Sequence, residues 1–164
     1  LRNISMVFQN VYLFDDTIEN NIKFGKPEAT HEEVIEAAKK ACCDDFISTL
    51  PDGYNTVIGE GGASLSGGEK QRISIARALI RKPKIIVFDE ATSALDSASE
   101  KKVQEATSNM MKNCTTFLVA HRLSTIRNAD RIVAMRDGKI VEVGSYDELM
   151  EKKGYFYELK ALQS

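Results

Sequence analysis

Apolar residues along the chain occur in two patterns, short unbroken runs and helical repeats. The runs KIIVFDE at 84–90 and TTFLVAH at 115–121 are typical of strands buried on both faces of a parallel sheet. ISMVFQ at 4–9 predicts a further short strand. Apolar residues at helical spacing predict helices over 30–41, from 67 to about 81, and over 97–112. Strands that alternate with helices in this way indicate an α/β domain.

Capping and turn signals indicate where other elements begin and end. DTIENNIKFG at 16–25 predicts a brief helix that ends at Gly25. Asp137-Gly138, inside 131–144, predicts a two-residue hairpin that two short helices follow. The residue pair of a capping box occurs at four predicted helix starts: Thr30 with Glu33, Ser66 with Glu69, Ser97 with Glu100, and Ser145 with Glu148.

Composition narrows the classes of protein. A length of 164 residues fits one domain with its own core. The formal net charge of -2 argues against a general nucleic-acid binder, so any anion site must be local. The apolar runs fall far below the ~18 residues of a membrane span, and the N-terminus lacks the pattern of a signal peptide. Three cysteines without CxxC spacing, Cys42, Cys43 and Cys114, indicate buried thiols in a reducing compartment.

Polar residues that follow the apolar strands are the first candidates for chemistry. Asp89 could hold Mg2+, directly or through water, and Glu90 could act as general base on an attacking water. Alternatively, the two carboxylates only end the strand and cap the next helix. His121 is a similar strand-end candidate, and Gln9 a weaker one. His31 has no second ligand at i+3 or i+4 and is expected in a solvated first turn.

The stretch LSGGEKQR at 65–72 places two glycines where a helix begins. Ser66 and Glu69 are explained by the capping box, but Gly67 and Gly68 are weak helix formers. Glycines at a helix start let another molecule approach the backbone N–H groups, and that end of a helix favours phosphate. The stretch therefore predicts an anion site, with a plain helix cap as the alternative.

The order and spacing of these motifs resemble the nucleotide-binding domain of ATP-binding cassette (ABC) transporters. Leu65, Ser66, Gly67, Gly68 and Glu69 match the signature motif of that family. The other motifs match as follows: Ile85–Asp89 the Walker B strand, Glu90 the catalytic glutamate, Ser93–Asp96 the D-loop, His121 the switch histidine and Gln9 the Q-loop glutamine.

The resemblance implies an ATPase that uses ATP and Mg2+ and works as a head-to-tail dimer with a second nucleotide-binding domain, as a homodimer or heterodimer. It implies catalytic roles for Glu90 and His121 and a metal-binding role for Asp89 and Gln9. The nucleotide would contact Gln9, the signature residues 65–69, and Asp96. LFDDTIENNI at 13–22 and TVIGEGG at 56–62 resemble exporter-type members, in which these segments face the transmembrane domain. The implied location is the cytoplasmic face of the cell membrane.

One family motif is missing from this sequence. A phosphate-cradling P-loop needs G-x-x-x-x-G-K-[ST], and both Gly-Lys pairs, Gly25-Lys26 and Gly138-Lys139, lack the following hydroxyl residue. The resemblance therefore implies a partial P-loop NTPase domain: a mostly parallel sheet flanked by helices, with its central Walker A strand missing. We expect a helical and signature subdomain over about 10–82, and a core portion from 1–9 and 83–164.

A missing central strand exposes strand edges, which invite pairing with another chain. We therefore expect a rearranged sheet, or a gap that a second copy fills by strand exchange. Two other classes of function stay open. The chain could be a non-catalytic interaction fragment that offers a signature face to a partner. It could also derive from an ABC ATPase of DNA repair, although the segment between Gln9 and Leu65 has no long coiled-coil insertion.

Overall fold

A computed structural model describes residues 3–8, 10–59, 63–90, 97–121 and 125–162. The chain forms two compact units, Leu1–Val119 and Ala120–Ser164. The strands of the first unit are β1 (Ile4–Val7), β2 (Asp16–Thr17), β3 (Val57–Ile58), β4 (Ile85–Asp89) and β5 (Thr115–Val119). Its helices are α1 (Ile18–Lys23), α2 (His31–Lys40), α3 (Asp44–Thr49), a 3₁₀ turn (Gly53–Asn55), α4 (Gly67–Leu79) and α5 (Ser97–Met111).

The main sheet is parallel and has the strand order β1-β4-β5. Ile4 pairs with Ile85 on one side of β4, and Asp89 pairs with Val119 on the other. β2 and β3 form a separate two-stranded antiparallel sheet. The prediction of an α/β fold with a parallel sheet and flanking helices is confirmed. A rearrangement of the sheet and its pairing with a second copy both stay predictions.

One face of the main sheet packs against helices, and α4 lies at the centre of that core. Val7 and Phe88 are buried on this face, where the register places them side by side. The core is built mainly from β-branched and small apolar side chains that α1 to α4 and the strands contribute: Val7, Ile18, Ile22, Val34, Ala38, Ile47, Ile73, Ile75, Ala76, Ile86 and Phe88. This packing fixes the sheet edge and the start of α4 within one folded unit.

The opposite face of the sheet is much more exposed than the sequence predicted. Met6, Val87 and Phe117 lie in one row across the three strands, and Met6 is 54% and Phe117 60% exposed. The prediction that β5 is buried on both faces is therefore wrong. An unbroken apolar run makes burial of both faces of a strand possible. Whether both faces are buried depends on which other elements pack against them.

The second unit is built on a hairpin. Its elements are β6 (Ile132–Arg136), β7 (Lys139–Gly144), α6 (Tyr146–Lys152) and α7 (Tyr155–Leu162). Asp137 and Gly138 have φ of 50° and 75°, as a two-residue type I′ turn requires, which confirms the predicted hairpin. Its small core consists of Ile132, Ala134, Leu149 and Phe156.

The capping signals in the sequence predicted helix starts better than the apolar pattern predicted short helices and strands. Three of the four predicted capping boxes form, at the starts of α2, α4 and α6. α5 begins at Ser97 itself, and the box of Ser97 with Glu100 stays a prediction. The helix predicted over 16–25 is shorter, because Asp16 and Thr17 pair with β3 and α1 begins at Ile18. The sequence does not predict α3 or the 3₁₀ turn, which have too few residues to establish a periodic pattern.

The three cysteines are free thiols, as expected, but only Cys43 is buried, and Cys42 and Cys114 are partly exposed. Cys43 is fully buried, and burial raises the pKa of its thiol to about 12, so it is an inert core residue. Among the described residues, no helix combines the length and apolarity that crossing a membrane requires.

Candidate functional site

The carboxylates at the end of β4 are held by the neighbouring strand. Asp89 is the last residue of β4 and pairs with Val119. The Glu90 N–H then donates a hydrogen bond of 3.0 Å to the Val119 carbonyl oxygen. Glu90 is only 8% exposed, although a carboxylate is costly to bury. The parallel pairing therefore fixes two acidic residues at the carboxyl-terminal ends of the strands. This is the side of an open α/β sheet at which ligands bind.

The start of α4 is closed by a complete capping box. Ser66 is the N-cap, and its Oγ accepts a hydrogen bond from the Glu69 N–H at 3.3 Å. Glu69 Oε2 in turn accepts the Ser66 N–H at 2.8 Å. The box uses neither the Gly67 N–H nor the Gly68 N–H. Two backbone donors in the first turn are therefore not used by the box, at the end of the helix where the dipole attracts anions.

The two glycines of the signature stretch lie in different environments. Gly67 is exposed, whereas Gly68 is buried against α5. A Cβ placed on Gly68 would lie 3.0 Å from Ser99 Cβ and 3.7 Å from a methyl group of Val103. The need for a glycine at position 68 is therefore explained by the close packing of α4 on α5. Access of another molecule to the backbone can explain only Gly67. The sequence alone predicts the same role for both glycines, and the packing separates them.

We expect Gly68→Ala to destabilise the chain by about 1 kcal/mol, because overpacking costs ~1–3 kcal/mol and the gain in helix propensity offsets only part of it. Gly67→Ala is the matched control, and we expect it to be neutral or slightly stabilising. Urea unfolding monitored by circular dichroism measures both free energies of unfolding. Equal effects of the two substitutions would contradict the separate roles.

Side chains from α4 and α5 hold the signature helix against α2 and α3. Arg72 Nε donates to the Gly68 carbonyl at 3.3 Å, and Arg72 Nη1 donates to the Cys42 carbonyl. The guanidinium lies 5.1 Å from the centre of the Phe46 ring. Asn109 Nδ2 on α5 donates to the carbonyl of Lys40 at the end of α2, at 3.0 Å. The start of α4 is thus built into a rigid group of helices.

An open groove lies beside β1 and the segment that follows it. Its volume is about 630 Å³, and the large apolar side chains in its wall include Met6, Phe8, Tyr12, Phe14 and Phe24. The Phe14 ring packs on Tyr12 at 5.3 Å and on Phe24 at 4.5 Å, measured between ring centres. Part of this wall belongs to the segment 13–22, for which the sequence predicts a membrane-domain contact.

The structure describes most of the candidate site residues. Asp89 and Glu90 lie together at the sheet edge, and Leu65–Glu69 form the start of α4, with Leu65 packed against the core. His121 belongs to the second unit and is exposed, two residues beyond the end of β5. Gln9 and Asp96 lie outside the described residues, as do 60–62 of the predicted contact loop.

Sequence reasoning missed Arg77 and Asn21, which connect α4 to the wall of the groove. Asn21 is fully buried, and Arg77 Nη2 donates to its Oδ1 at 3.1 Å. The partners of Arg77 lie 56 and 65 residues away along the chain, so its neighbours in the sequence give no signal of this role.

Comparison with known proteins gives the family. Residues 1–93 of the 164 match the family model described as ABC transporter, and the chain therefore belongs to the ABC transporter family. The recognition of an exporter-type nucleotide-binding domain in the sequence agrees with this match.

Similar proteins include transporters from bacteria and plants. The chain is 56% identical over 164 residues to an ATP-dependent lipid A-core flippase of Desulfotalea psychrophila, covering 99% of this chain and 29% of that protein. It is 52% identical over 161 residues to the flippase of the same name from Chromobacterium violaceum, covering 98% and 28%. ABC transporter B family member 13 of Arabidopsis thaliana is 56% identical over 156 residues, covering 95% and 12%. The chain thus spans less than a third of each of these relatives.

Proposed function

We propose that this chain is the signature and Walker B portion of an ABC exporter's nucleotide-binding domain, which hydrolyses ATP to drive transport. One observation carries the proposal. The parallel pairing of β4 with β5 holds Asp89 and the buried Glu90 at a sheet edge, in the same folded unit as the capped signature helix. A DNA-repair ATPase is disfavoured, since α1 to α3 form only short helices between β1 and α4.

The residues at the sheet edge fit a magnesium ion that is shared with a nucleotide. Within the described ranges, no group of three or more His, Cys, Asp or Glu side chains could form a metal site of its own. Mg2+ in nucleotide sites takes one or two protein carboxylates and completes its shell with phosphate oxygens and water. Asp89 would be the protein ligand, and Gln9 a second contact. When bound, the ion would neutralise charge on the phosphates.

Glu90 is proposed as the general base for the attacking water, and His121 as a second catalytic residue. Burial of Glu90 leaves its carboxylate few competing waters, which suits a group that must orient one of them. Residues 65–69 would contact the nucleotide that a second nucleotide-binding domain holds, together with Asp96. The functional unit is then a head-to-tail dimer, either homomeric or heteromeric.

The groove beside β1 is the proposed contact with the transmembrane domain of the exporter. Phe8, Tyr12 and Phe24 are 57%, 72% and 63% exposed, which leaves a contiguous aromatic surface open. A membrane domain docked there would place this chain at the cytoplasmic face of the membrane. Among the strands that the structure describes, β5 is an outer strand of the main sheet. Its outer edge would take a Walker A strand, or would pair with a second copy.

A chimera tests the proposed function. This chain replaces the matching 29% of the Desulfotalea psychrophila flippase. The resulting protein is reconstituted in lipid nanodiscs. We expect ATPase activity that lipid A increases, because the groove and the site residues would complete that protein's machinery. The unaltered flippase is the control. A folded, ATP-binding chimera without ATPase activity would favour the alternative of a non-catalytic interaction fragment.

A further inference from the structure

Arg77 connects the signature helix to the aromatic wall of the groove. Its guanidinium donates three hydrogen bonds to the segment that precedes α2. Nε bonds the Asn21 carbonyl at 2.8 Å, Nη2 bonds Asn21 Oδ1 at 3.1 Å, and Nη1 bonds the Tyr12 carbonyl at 2.9 Å. The same group lies 5.4 Å from the centre of the Phe14 ring and 5.7 Å from that of Phe24. One side chain therefore contacts three aromatic residues of the groove wall, Tyr12, Phe14 and Phe24.

Asn21 extends this connection into the loop before α1. Its Nδ2 donates to the carbonyls of Phe14 at 3.1 Å and Thr17 at 3.0 Å, while its Oδ1 accepts the Phe14 N–H at 2.8 Å. The buried amide thus closes the turn that positions Phe14. Because Arg77 bonds both the side chain and the backbone of Asn21, the turn is attached to α4 and not only to α1.

The backbones of Gly25 and Arg77 are packed closely together beside these hydrogen bonds. A Cβ on Gly25 would lie 2.1 Å from the Arg77 carbonyl oxygen, so the end of α1 and the helix α4 are in direct backbone contact. Burial lowers the pKa of Arg77, as expected for a cation withdrawn from water, although a guanidinium stays charged at neutral pH. A partly buried charge with three hydrogen bonds resists displacement, because moving it would leave several polar groups unpaired.

The geometry points to Arg77 as a positioning residue that transmits movement of the signature helix to the groove. Ser66 and Arg77 lie on one continuous helix, about 16 Å apart along its axis. A shift of the signature end therefore moves Arg77, and with it Tyr12, Phe14 and Phe24. The inference rests on the proposed function, in which a partner's nucleotide contacts the signature end and a membrane domain contacts the groove.

Hydrogen exchange of the chain alone tests whether Arg77 holds the segment 12–17 in place. Arg77→Met keeps the length of the side chain and removes its three bonds. We expect amides of 12–17 to exchange about tenfold faster, while amides of α2 and β4 stay within about twofold. Arg77→Lys, which retains the charge, should give a smaller increase at the same amides. Unchanged exchange at 12–17 overturns the inference. So does an equal increase throughout the chain, or unfolding of both variants, since Arg77 would then be a general stability residue.

The lipid stimulation of ATPase activity in the chimera tests whether Arg77 transmits movement between the start of α4 and the groove. In Arg77→Met we expect the ratio of lipid-stimulated to basal ATPase activity to fall about fivefold or more, the lower range of coupling free energies. Lys39→Met removes a charge from the exposed surface of α2 and should leave the ratio unchanged. A ratio within about twofold of the unmutated chimera overturns the inference. Absence of stimulation in the unmutated chimera counts against the proposed function, and hydrogen exchange then decides the local role of Arg77.

Discussion

Glu90→Gln in the chimera is expected to lower ATP turnover by about 10²- to 10⁴-fold, the range that a general base contributes. The amide keeps the size and most hydrogen-bonding capacity of the carboxylate but cannot accept the proton of the attacking water. ATP binding should persist, because the Glu90 backbone bond to Val119 does not depend on the side chain. Phosphate release measures turnover, and equilibrium binding of a fluorescent ATP analogue measures affinity.

Glu105→Gln is the matched control for this substitution. Glu105 lies on the exposed surface of α5, so the same chemical change there should leave turnover within about twofold. Turnover retained by Glu90→Gln would remove Glu90 from the role of base. Loss of both turnover and ATP binding would assign Glu90 to nucleotide binding instead, which the proposed role does not predict.

Features that depend on a few neighbouring residues could be predicted from the sequence. Each capping box is complete within four residues, and the Asp137-Gly138 turn within two, so the local chain determines them. The parallel strands were recognisable because β4 and β5 are apolar runs with polar residues at their ends. The end of β4 also indicated Asp89 and Glu90 as candidates, and its pairing with β5 holds both at one sheet edge.

Features that depend on distant packing could not be predicted in this way. Gly68 is needed because Ser99, on another helix, lies 3.0 Å from where its Cβ would be. The exposed face of β5 follows from what packs against the sheet, which an apolar run does not specify. Arg77 bonds Tyr12, 65 residues away along the chain, so no local pattern predicts the connection.

The 164-residue chain alone is expected to bind MgATP more weakly than about 1 mM, a binding free energy of about -4 kcal/mol. Its sequence lacks the G-x-x-x-x-G-K-[ST] loop whose backbone and lysine hold the phosphates. Asp89 and Glu90 would repel ATP in the absence of that loop. The start of α4 offers only a helix dipole, which is worth ~0.3–1 kcal/mol at an exposed site.

Isothermal titration calorimetry measures this affinity, with the chimera as the positive control. The flippase is ATP-dependent, so we expect the chimera to bind MgATP at least about 100-fold more tightly than the chain alone, a difference of about 2.7 kcal/mol. Low-micromolar affinity of the chain alone would contradict the prediction. It would mean that the described sheet edge and signature helix hold the phosphates by themselves, and Gly67 and Glu90 would then be the first positions to substitute.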